Sequence, residues 1–390
     1  MRNFCEWITL RRMKFHEAAP RLHEFFESTI SLRPHRFLVD YSPMSKINLM
    51  GYSLEQLQET MLGLGENRYR GQQLYKWIYH SRQHNFAAMT DLSRALRESL
   101  AAQYEVQGLR LEHTSKSYDG TEKFLFRLFD GHPIETVLIP DAKRKTLCVS
   151  SQAGCALACK FCATGTMGLL RDLSVGEIVG QLVFLRQLYG EECFTHVVFM
   201  GMGEPLDNFD NLVGALGIMT SSMGLGIPAR RITVSTSGIS PKIKKLAETG
   251  LKTRLAISLH AATQAKRRLV MPVADTFKLP KLMEAVREYA KTTGMGVTFE
   301  YILMDGFNDS PADISALTKL VHGLLCKINI LAYNPVPGLP FKRPRDERVD
   351  WFGRELSARV PSVTVRQSRG RDIEAACGQL AARATQKEEF

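Results

Sequence analysis

From residue 146 onward, short apolar runs alternate with longer amphipathic stretches, and this alternation limits the fold more than any other feature of the chain. The runs cover residues 146–150, 196–200, 231–235, 254–258, 297–303, 327–332 and 362–365. Their length and their Val, Ile and Thr content suit strands. Stretches such as 174–188, 242–249 and 279–292 carry apolar residues at helical spacing instead. Repeated β-α units of this kind predict an α/β fold with a parallel sheet, open or closed into a barrel. Binding and reacting side chains then gather at the carboxyl ends of the strands. Most of the motifs described below fall at or just after such ends.

Ahead of this core the pattern changes twice. Residues 51–105 read as a small helical accessory domain. Ser53 and Gln56 have the spacing of a capping box, and Leu54, Leu57, Met61 and Leu62 follow at helical spacing. Residues 69–79 and 93–100 continue the helical pattern. Arg68, Arg70, Lys76, Arg82 and Arg94 stand among Tyr and Trp, which suits either an RNA-contacting surface or a solvated basic face over an aromatic core. Residues 106–145 carry apolar-rich runs at 122–128 and 134–139 around Asp130-Gly131, predicting a β-hairpin connection. The core barrel then takes residues 146–366, and a C-terminal segment takes 367–390, polar from Ala381. Residues 1–50 form an extension of unassigned role: a mobile segment, or the product of an upstream start with Met44 or Met50 as the true one. Glu6, Glu17, Glu24 and Glu27 oppose a transit peptide.

The 390 residues are 44% hydrophobic, enough for a sizeable core. Lys+Arg 51 against Asp+Glu 40 leaves a net charge of +11. That surplus favours a polyanionic partner, because cationic side chains displace counterions from phosphates. No uncharged apolar run is long enough to span a bilayer, so no membrane partner is expected. With no secretory signal, eight cysteines in a chain of this length point to thiol or metal chemistry in a reducing, cytoplasmic compartment.

Three of those cysteines crowd into Gly154-Cys155-Ala-Leu-Ala-Cys159-Lys-Phe-Cys162-Ala-Thr-Gly165. A loop after a strand can turn three thiolates toward one centre, which a straight strand cannot. Three protein ligands leave one iron of a cubane cluster open, as other catalytic metals keep an open position. The alternative is structural zinc completed by a distant His or Cys, although the paired ligand units usual for it are missing. Gly201-Met-Gly203-Glu204-Pro205-Leu206 follows the second predicted strand; its glycines admit close backbone approach and Glu204 offers an acceptor. Ser235-Thr-Ser-Gly238 ends the third strand, Ser258-Leu259-His260 the fourth, and Asn334 follows the sixth. By residue type alone these are ligand contacts or ordinary turns and caps. Cys148 and Cys377, taken singly, read as small buried hydrophobes, like Cys5, Cys193 and Cys326.

The C-x₃-C-x₂-C spacing resembles the radical S-adenosylmethionine (SAM) superfamily. Three further segments, Glu135-Thr-Val-Leu-Ile-Pro140, Thr146-Leu-Cys-Val-Ser-Ser-Gln-Ala-Gly-Cys155 and Arg369-Gly-Arg-Asp-Ile-Glu-Ala-Ala-Cys377-Gly-Gln-Leu380, resemble the RlmN/Cfr family of RNA adenine methyltransferases. The resemblance runs from about Ser53 to Leu380 and is nearest the RlmN branch. It implies a partial (β/α) barrel of the radical SAM type. It implies a [4Fe–4S] cluster on Cys155, Cys159 and Cys162, with Phe161 near the adenine of SAM. SAM contacts fall on Gly203, Glu204, Ser235, Ser258, Leu259, His260 and Asn334. The implied substrates are 23S ribosomal RNA and transfer RNA, methylated at C2 of an adenine with the help of an external electron donor. No interface pattern stands out in the sequence, so a monomer is expected.

Carbon C2 is electron-poor, so direct displacement on SAM is blocked, and the family uses two SAM molecules. Cys377 takes a methyl group by polar displacement. A deoxyadenosyl radical abstracts hydrogen from that methyl, and the carbon adds to C2. Cys148 then attacks the Cys377 sulfur, forming a disulfide and releasing the RNA. Glu135 matches the family's proton acceptor. Cfr-like methylation at C8 uses the same cysteines and stays open. A zinc-stabilised RNA-binding protein and a radical SAM enzyme with a small-molecule substrate are the more distant readings. The chain departs from the family at Thr166-Met-Gly-Leu-Leu-Arg-Asp172, where Lys or Gln after the cluster and Asn at position 172 are more usual.

Overall fold

The computed structural model describes residues 46–141 and 144–382; most of the extension, with Cys5, and the end of the polar tail lie outside them. Ten strands form one sheet in which chain order is also spatial order. They are β1 (Arg110–Lys116), β2 (Glu122–Arg127), β3 (Pro133–Ile139), β4 (Thr146–Cys148), β5 (His196–Phe199), β6 (Ile232–Thr236), β7 (Arg254–Ser258), β8 (Val297–Leu303), β9 (Cys326–Ala332) and β10 (Val363–Arg366). Pairing is antiparallel from β1 to β4 and parallel from β4 to β10. The sheet ends in two unjoined edges, so the parallel part is a partial barrel.

All seven predicted strands are present. Parallel strands covered on both faces read as near-continuous apolar runs, and β8 buries every residue but Thr298. The run at 146–150 pairs as strand only through Cys148, because the buried amide of Gln181 takes over both backbone groups of Ser150: Ser150 N donates to Oε1 at 2.9 Å, and Nε2 donates to Ser150 O at 2.9 Å. The predicted hairpin is β2 and β3, and they continue the main sheet. β1 pairs with β2 and has no buried residue, so it lacks the alternation that marks a strand.

The helices connecting parallel strands are set by local signals. The helix α4 (Val175–Tyr189) starts at a Ser174–Glu177 capping box and stops at Gly190, at φ 86°. It spans β4 to β5, and α5 (Phe209–Thr220) spans β5 to β6. α6 (Ser240–Glu248), then α7 (Gln264–Val270) and α8 (Leu279–Thr293), lie in the next two crossovers, with α9 (Pro311–Val321) and α10 (Asp346–Ser357) completing the set. α8 buries Leu279, Leu282, Met283, Val286 and Tyr289 along one face, each contributing roughly 1.5–3 kcal/mol of burial.

The accessory domain holds α1 (Leu54–Gly63), α2 (Arg68–Tyr75) and α3 (Arg94–Gln103). Ser53 and Gln56 form the expected capping box. The predicted helix at 69–79 is α2 followed by a π-helical turn, Lys76–His80. Tyr75 and Tyr79 are buried edge to face, 4.8 Å between centroids, so these aromatics belong to the core. Outside, Arg70, Arg82 and Arg94 pair with Glu66, Glu191 and Glu98.

Candidate active site

The carboxyl ends of the parallel strands open on a cavity of about 230 Å³. Cys155, Cys159 and Cys162 line it from one side, Cys148 from β4, and Cys377 from the C-terminal segment. Gly203, Glu204, Ser235, Ser258, His260 and Phe161 share the same wall. Leu259 is fully buried in the core and Asn334 and Glu135 stand behind the lining.

Residues Gln152–Gly154 pair antiparallel with Leu169–Asp172, and the cysteines sit in the loop these two arms carry. Gly154 has φ +78°, and a Cβ there would lie 2.0 Å from Gly168 O, so only glycine lets the arms meet. Inside the loop, Cys155 N donates to Gly168 O at 2.8 Å and Cys162 N to Cys159 O at 3.1 Å. Burial pushes the Cys155 thiol up to about 12 and raises Cys159 and Cys162 as well, with neighbouring thiols adding to the shift at Cys155 and Cys159. Such thiols stay protonated near neutral pH unless a metal binds them. Among the described residues, no three His, Cys, Asp or Glu side chains converge as a single-ion site requires. A cubane asks for another arrangement, because each thiolate takes its own iron. Three thiols in one loop are the donor set for it. Two buried polar groups near it, Asn334 Oδ1 and the Nε and Nη1 of Arg267, meet no partner among the described residues, which fits a polar occupant.

Glu204 is buried at the turn after β5. Leu206 N donates to its Oε1 at 3.1 Å and Ser237 N to its Oε2 at 2.7 Å, while burial raises its pKa. Gln152 positions this turn: its Oε1 accepts from Glu204 N at 2.8 Å, and its Nε2 donates to Asp172 Oδ1 at 2.7 Å. The departure at Asp172 thus keeps an acceptor for Gln152. His260 adopts φ 53°, uncommon outside glycine. Asn308 Nδ2 holds its carbonyl at 2.7 Å, and its Nδ1 accepts from Ile302 N at 3.1 Å. Burial lowers its pKa to about 3. The ring is therefore neutral with its proton on Nε2, and Phe161 packs edge-on at 4.8 Å.

The segment bearing Cys377 is anchored on both sides. Upstream, Gly370 N donates to Asp119 Oδ2 at 2.9 Å and Ser117 Oγ to Asp372 Oδ1 at 2.6 Å. Downstream, Ala163 N donates to Gly378 O at 2.7 Å, and Thr164 Oγ1 to Leu380 O at 2.6 Å. Asn334 Nδ2 donates to Cys377 O at 3.3 Å. The Glu135 carboxylate accepts from Ala381 N at 3.0 Å and Ala382 N at 3.1 Å, and pairs with Lys123 Nζ at 3.0 Å. Cys377 is exposed and lines the cavity. Desolvation by the atoms around it raises its thiol pKa, with Arg366 opposing the shift. Burial raises Cys148 too, and the two sulfurs act on each other.

Sequence reasoning missed several residues. Glu300 lines the cavity from the middle of β8, with Asn329 Nδ2 donating to its Oε1 at 2.8 Å; a charge inside an apolar strand was a usable signal. Arg144 also lines the cavity, crowded by Arg366 and Arg254. Arg267, fully buried on α7, sits in a Lys-Arg-Arg run indistinguishable from a surface patch.

Residues 47–106 match the family model described as the ribosomal RNA large subunit methyltransferase N-terminal domain, and residues 149–317 match the radical SAM superfamily. A dual-specificity RNA methyltransferase RlmN of Syntrophobacter fumaroxidans is 43% identical over 87% of this chain and 99% of that protein. The RlmN of Alcanivorax borkumensis is 42% identical over 86% of this chain and 90% of that protein. The crystal structure of a radical SAM methyltransferase from Sphaerobacter thermophilus superposes with a TM-score of 0.82 at 43% identity, covering 86% of this chain and all of that one. With this identity across nearly whole chains, the same fold and the cysteines gathered on one cavity, the chain belongs to the RlmN family of radical SAM methyltransferases.

Proposed function

We propose that this cavity methylates C2 of an adenine in 23S ribosomal RNA and in transfer RNA. The observation that carries the reading is the meeting of Cys148 and Cys377 with the three-cysteine loop around one cavity. Bound at Cys155, Cys159 and Cys162, a [4Fe–4S] cluster with SAM supplies a methyl group in one half of the turnover and a hydrogen-abstracting radical in the other.

The chain's own residues do the rest. Glu204 accepts from the amino group of SAM; Ser235, Ser258, the Leu259 backbone, His260 and Asn334 hold its carboxylate and ribose. Gly203 leaves room for close approach. Cys377 attacks the methyl carbon as a thiolate, favoured by Arg366 against the cost of burial. The methyl carbon on Cys377, once short of a hydrogen, bonds to C2, and the adduct gives up its C2 proton and one electron, which the oxidised iron–sulfur centre would accept. The Cys148 thiolate then bonds to the Cys377 sulfur, the bond from that sulfur to the transferred carbon breaks, and the departing carbon takes a proton to become the methyl group. The C2 proton passes to Glu135, whose carboxylate becomes available when Ala381 and Ala382 move off it.

Arg144, Arg366 and Arg369 around the mouth meet phosphate, and the adenine leaves its stack to enter. Residues 51–105 grip RNA beyond the target, and residues 367–382 deliver Cys377. Among the described residues no helix is long and apolar enough to cross a membrane. The enzyme works as a cytoplasmic monomer with an external electron donor.

The test is anaerobic: protein reconstituted with iron and sulfide, then SAM, a reductant and a 23S ribosomal RNA fragment, with nucleosides read by mass spectrometry. 2-Methyladenosine that disappears in Cys377→Ala is the expected result. 8-Methyladenosine, or none from protein with an intact cluster, overturns the reading.

A further inference from the structure

Arg267 is the largest fully buried side chain in the protein's described residues. Its Nη2 donates to two backbone carbonyls, Ser237 O and, at 3.3 Å, Ser258 O. Those carbonyls lie just past the end of β6 and at the last residue of β7, where the cavity wall is built. Nε and Nη1 are buried with no acceptor. A buried cation without an anion is costly, several kcal/mol by the usual measure, so a native fold keeps one where something balances it.

The surroundings indicate what that is. Cys159 packs in one apolar cluster with Val270 and Met271, which follow Arg267 on and just past α7. Val270 O accepts from Lys160 N at 2.9 Å, tying the cysteine loop to the end of the same helix. The guanidinium acts electrostatically on Cys159, Glu204 and His260. Glu204 forms no ion pair with it: Glu204 Oε1 accepts from Leu206 N at 3.1 Å and Oε2 from Ser237 N at 2.7 Å. Among the described residues no carboxylate forms an ion pair with Arg267, and two of its guanidinium nitrogens stay without an acceptor beside the cysteine loop.

We infer that Arg267 is the counter-charge of the cluster pocket, a positioning residue that offsets the negative charge of the three thiolates and their iron–sulfur cluster and sets the potential at which the cluster takes its electron. A nearby cation favours the more negative, reduced state, and charge and hydrogen bonding around the cysteines are the protein's main levers on such potentials. Ties to the Ser237 and Ser258 carbonyls alone would need only a donor, without a charge.

Two variants separate charge from tie. Arg267→Lys keeps the charge and loses the fork; Arg267→Gln keeps an amide donor and loses the charge. The cluster midpoint potential is read by electron paramagnetic resonance in a redox titration of each reconstituted protein, and the melting temperature is read on each cluster-free protein. The expected result is a tenfold or larger shift against reduction in Arg267→Gln, about 59 mV for one electron, with Arg267→Lys close to wild type. Cluster-free Arg267→Gln should melt no lower than cluster-free Arg267→Lys. Equal potentials in wild type and Arg267→Gln overturn the inference, as does an equal shift in both variants. Failure of Arg267→Gln to fold without the cluster overturns it too, since that would make the residue a structural tie. The inference rests on the proposed cluster, which iron and sulfide analysis of the wild type tests separately: no cluster there fails that reading, whereas an intact cluster with an unmoved potential fails this one alone.

Discussion

Removing the Glu135 carboxylate should release the segment that carries Cys377. The side chain is 2% exposed on β3 and holds three donors: Lys123 Nζ at 3.0 Å, Ala381 N at 3.0 Å and Ala382 N at 3.1 Å. Glu135→Ala leaves the Lys123 ammonium, itself 13% exposed, facing a void and strips two amides of their acceptor. A hydrogen bond to a charged group is worth about 1.5–3 kcal/mol, and breaking a buried ion pair costs about 3–5 kcal/mol. These costs overlap, because one carboxylate serves all three donors and a freed amide regains water when the segment lifts. A net loss of about 3 kcal/mol is the appropriate size, which is more than a hundredfold rise in the lifted population. Hydrogen exchange of cluster-free protein, read by mass spectrometry on peptides covering 376–382, measures this directly. Protection at 381 and 382 should fall by about a hundredfold while β8 peptides stay unchanged. Glu135→Gln, keeping one carbonyl oxygen, should fall between. Unchanged protection at 381 and 382, or an equal loss across the sheet, would refute the anchoring argument.

Three further outcomes follow from the same geometry. Gly203→Ala places a Cβ 2.5 Å from Gln152 Cβ at φ +96°, so thermal unfolding should show a loss of roughly 2–4 kcal/mol and calorimetry should show weakened SAM binding. Cys148→Ser should leave RNA joined to Cys377, seen as a band retarded on a denaturing gel; free product at the wild-type rate would contradict the release step. His260, held to about 3 by burial, is neutral when folded but protonates near about 6.5 when unfolded. The unfolded state therefore binds more protons between those values, and stability must fall with pH there, by up to about 1.4 kcal/mol per unit. Urea midpoints of cluster-free protein from about pH 7 to 4 should slope more steeply than those of His260→Gln.

The strands were legible where burial on both faces wrote an unbroken apolar run. The predicted 254–258 and 297–303 coincide with β7 and β8. Legibility failed where partners set the conformation. β1 is a strand because β2 lies beside it, and its own residues are exposed or half-buried. The end of β4 is set by Gln181, distant in sequence, and nothing in 146–150 announces it. The short arms at 152–154 and 169–172 are held by Gly154 and by the Gln152–Asp172 bond, features that look like loop composition until the two arms are seen together.

The site divides along the same line. Cys155, Cys159 and Cys162 are close in sequence, so their spacing already carries the chemistry, whereas Cys148 and Cys377 are ordinary until the fold puts them on one cavity. The anchors of Cys377 show what joins the two groups. Ala163 and Thr164, the residues just after Cys162, donate to Gly378 O and Leu380 O, just after Cys377. Asn334 donates to Cys377 O itself. On the proposed reading, the loop that would hold the cluster is thus also a template for the segment that carries Cys377. Order in the one supports order in the other, which ties the docking of the C-terminal segment to the state of the loop across more than two hundred intervening residues. On the acceptor side that coupling runs through the carbonyls of Cys377, Gly378 and Leu380, which any residue would supply, and there composition and spacing give no trace of it.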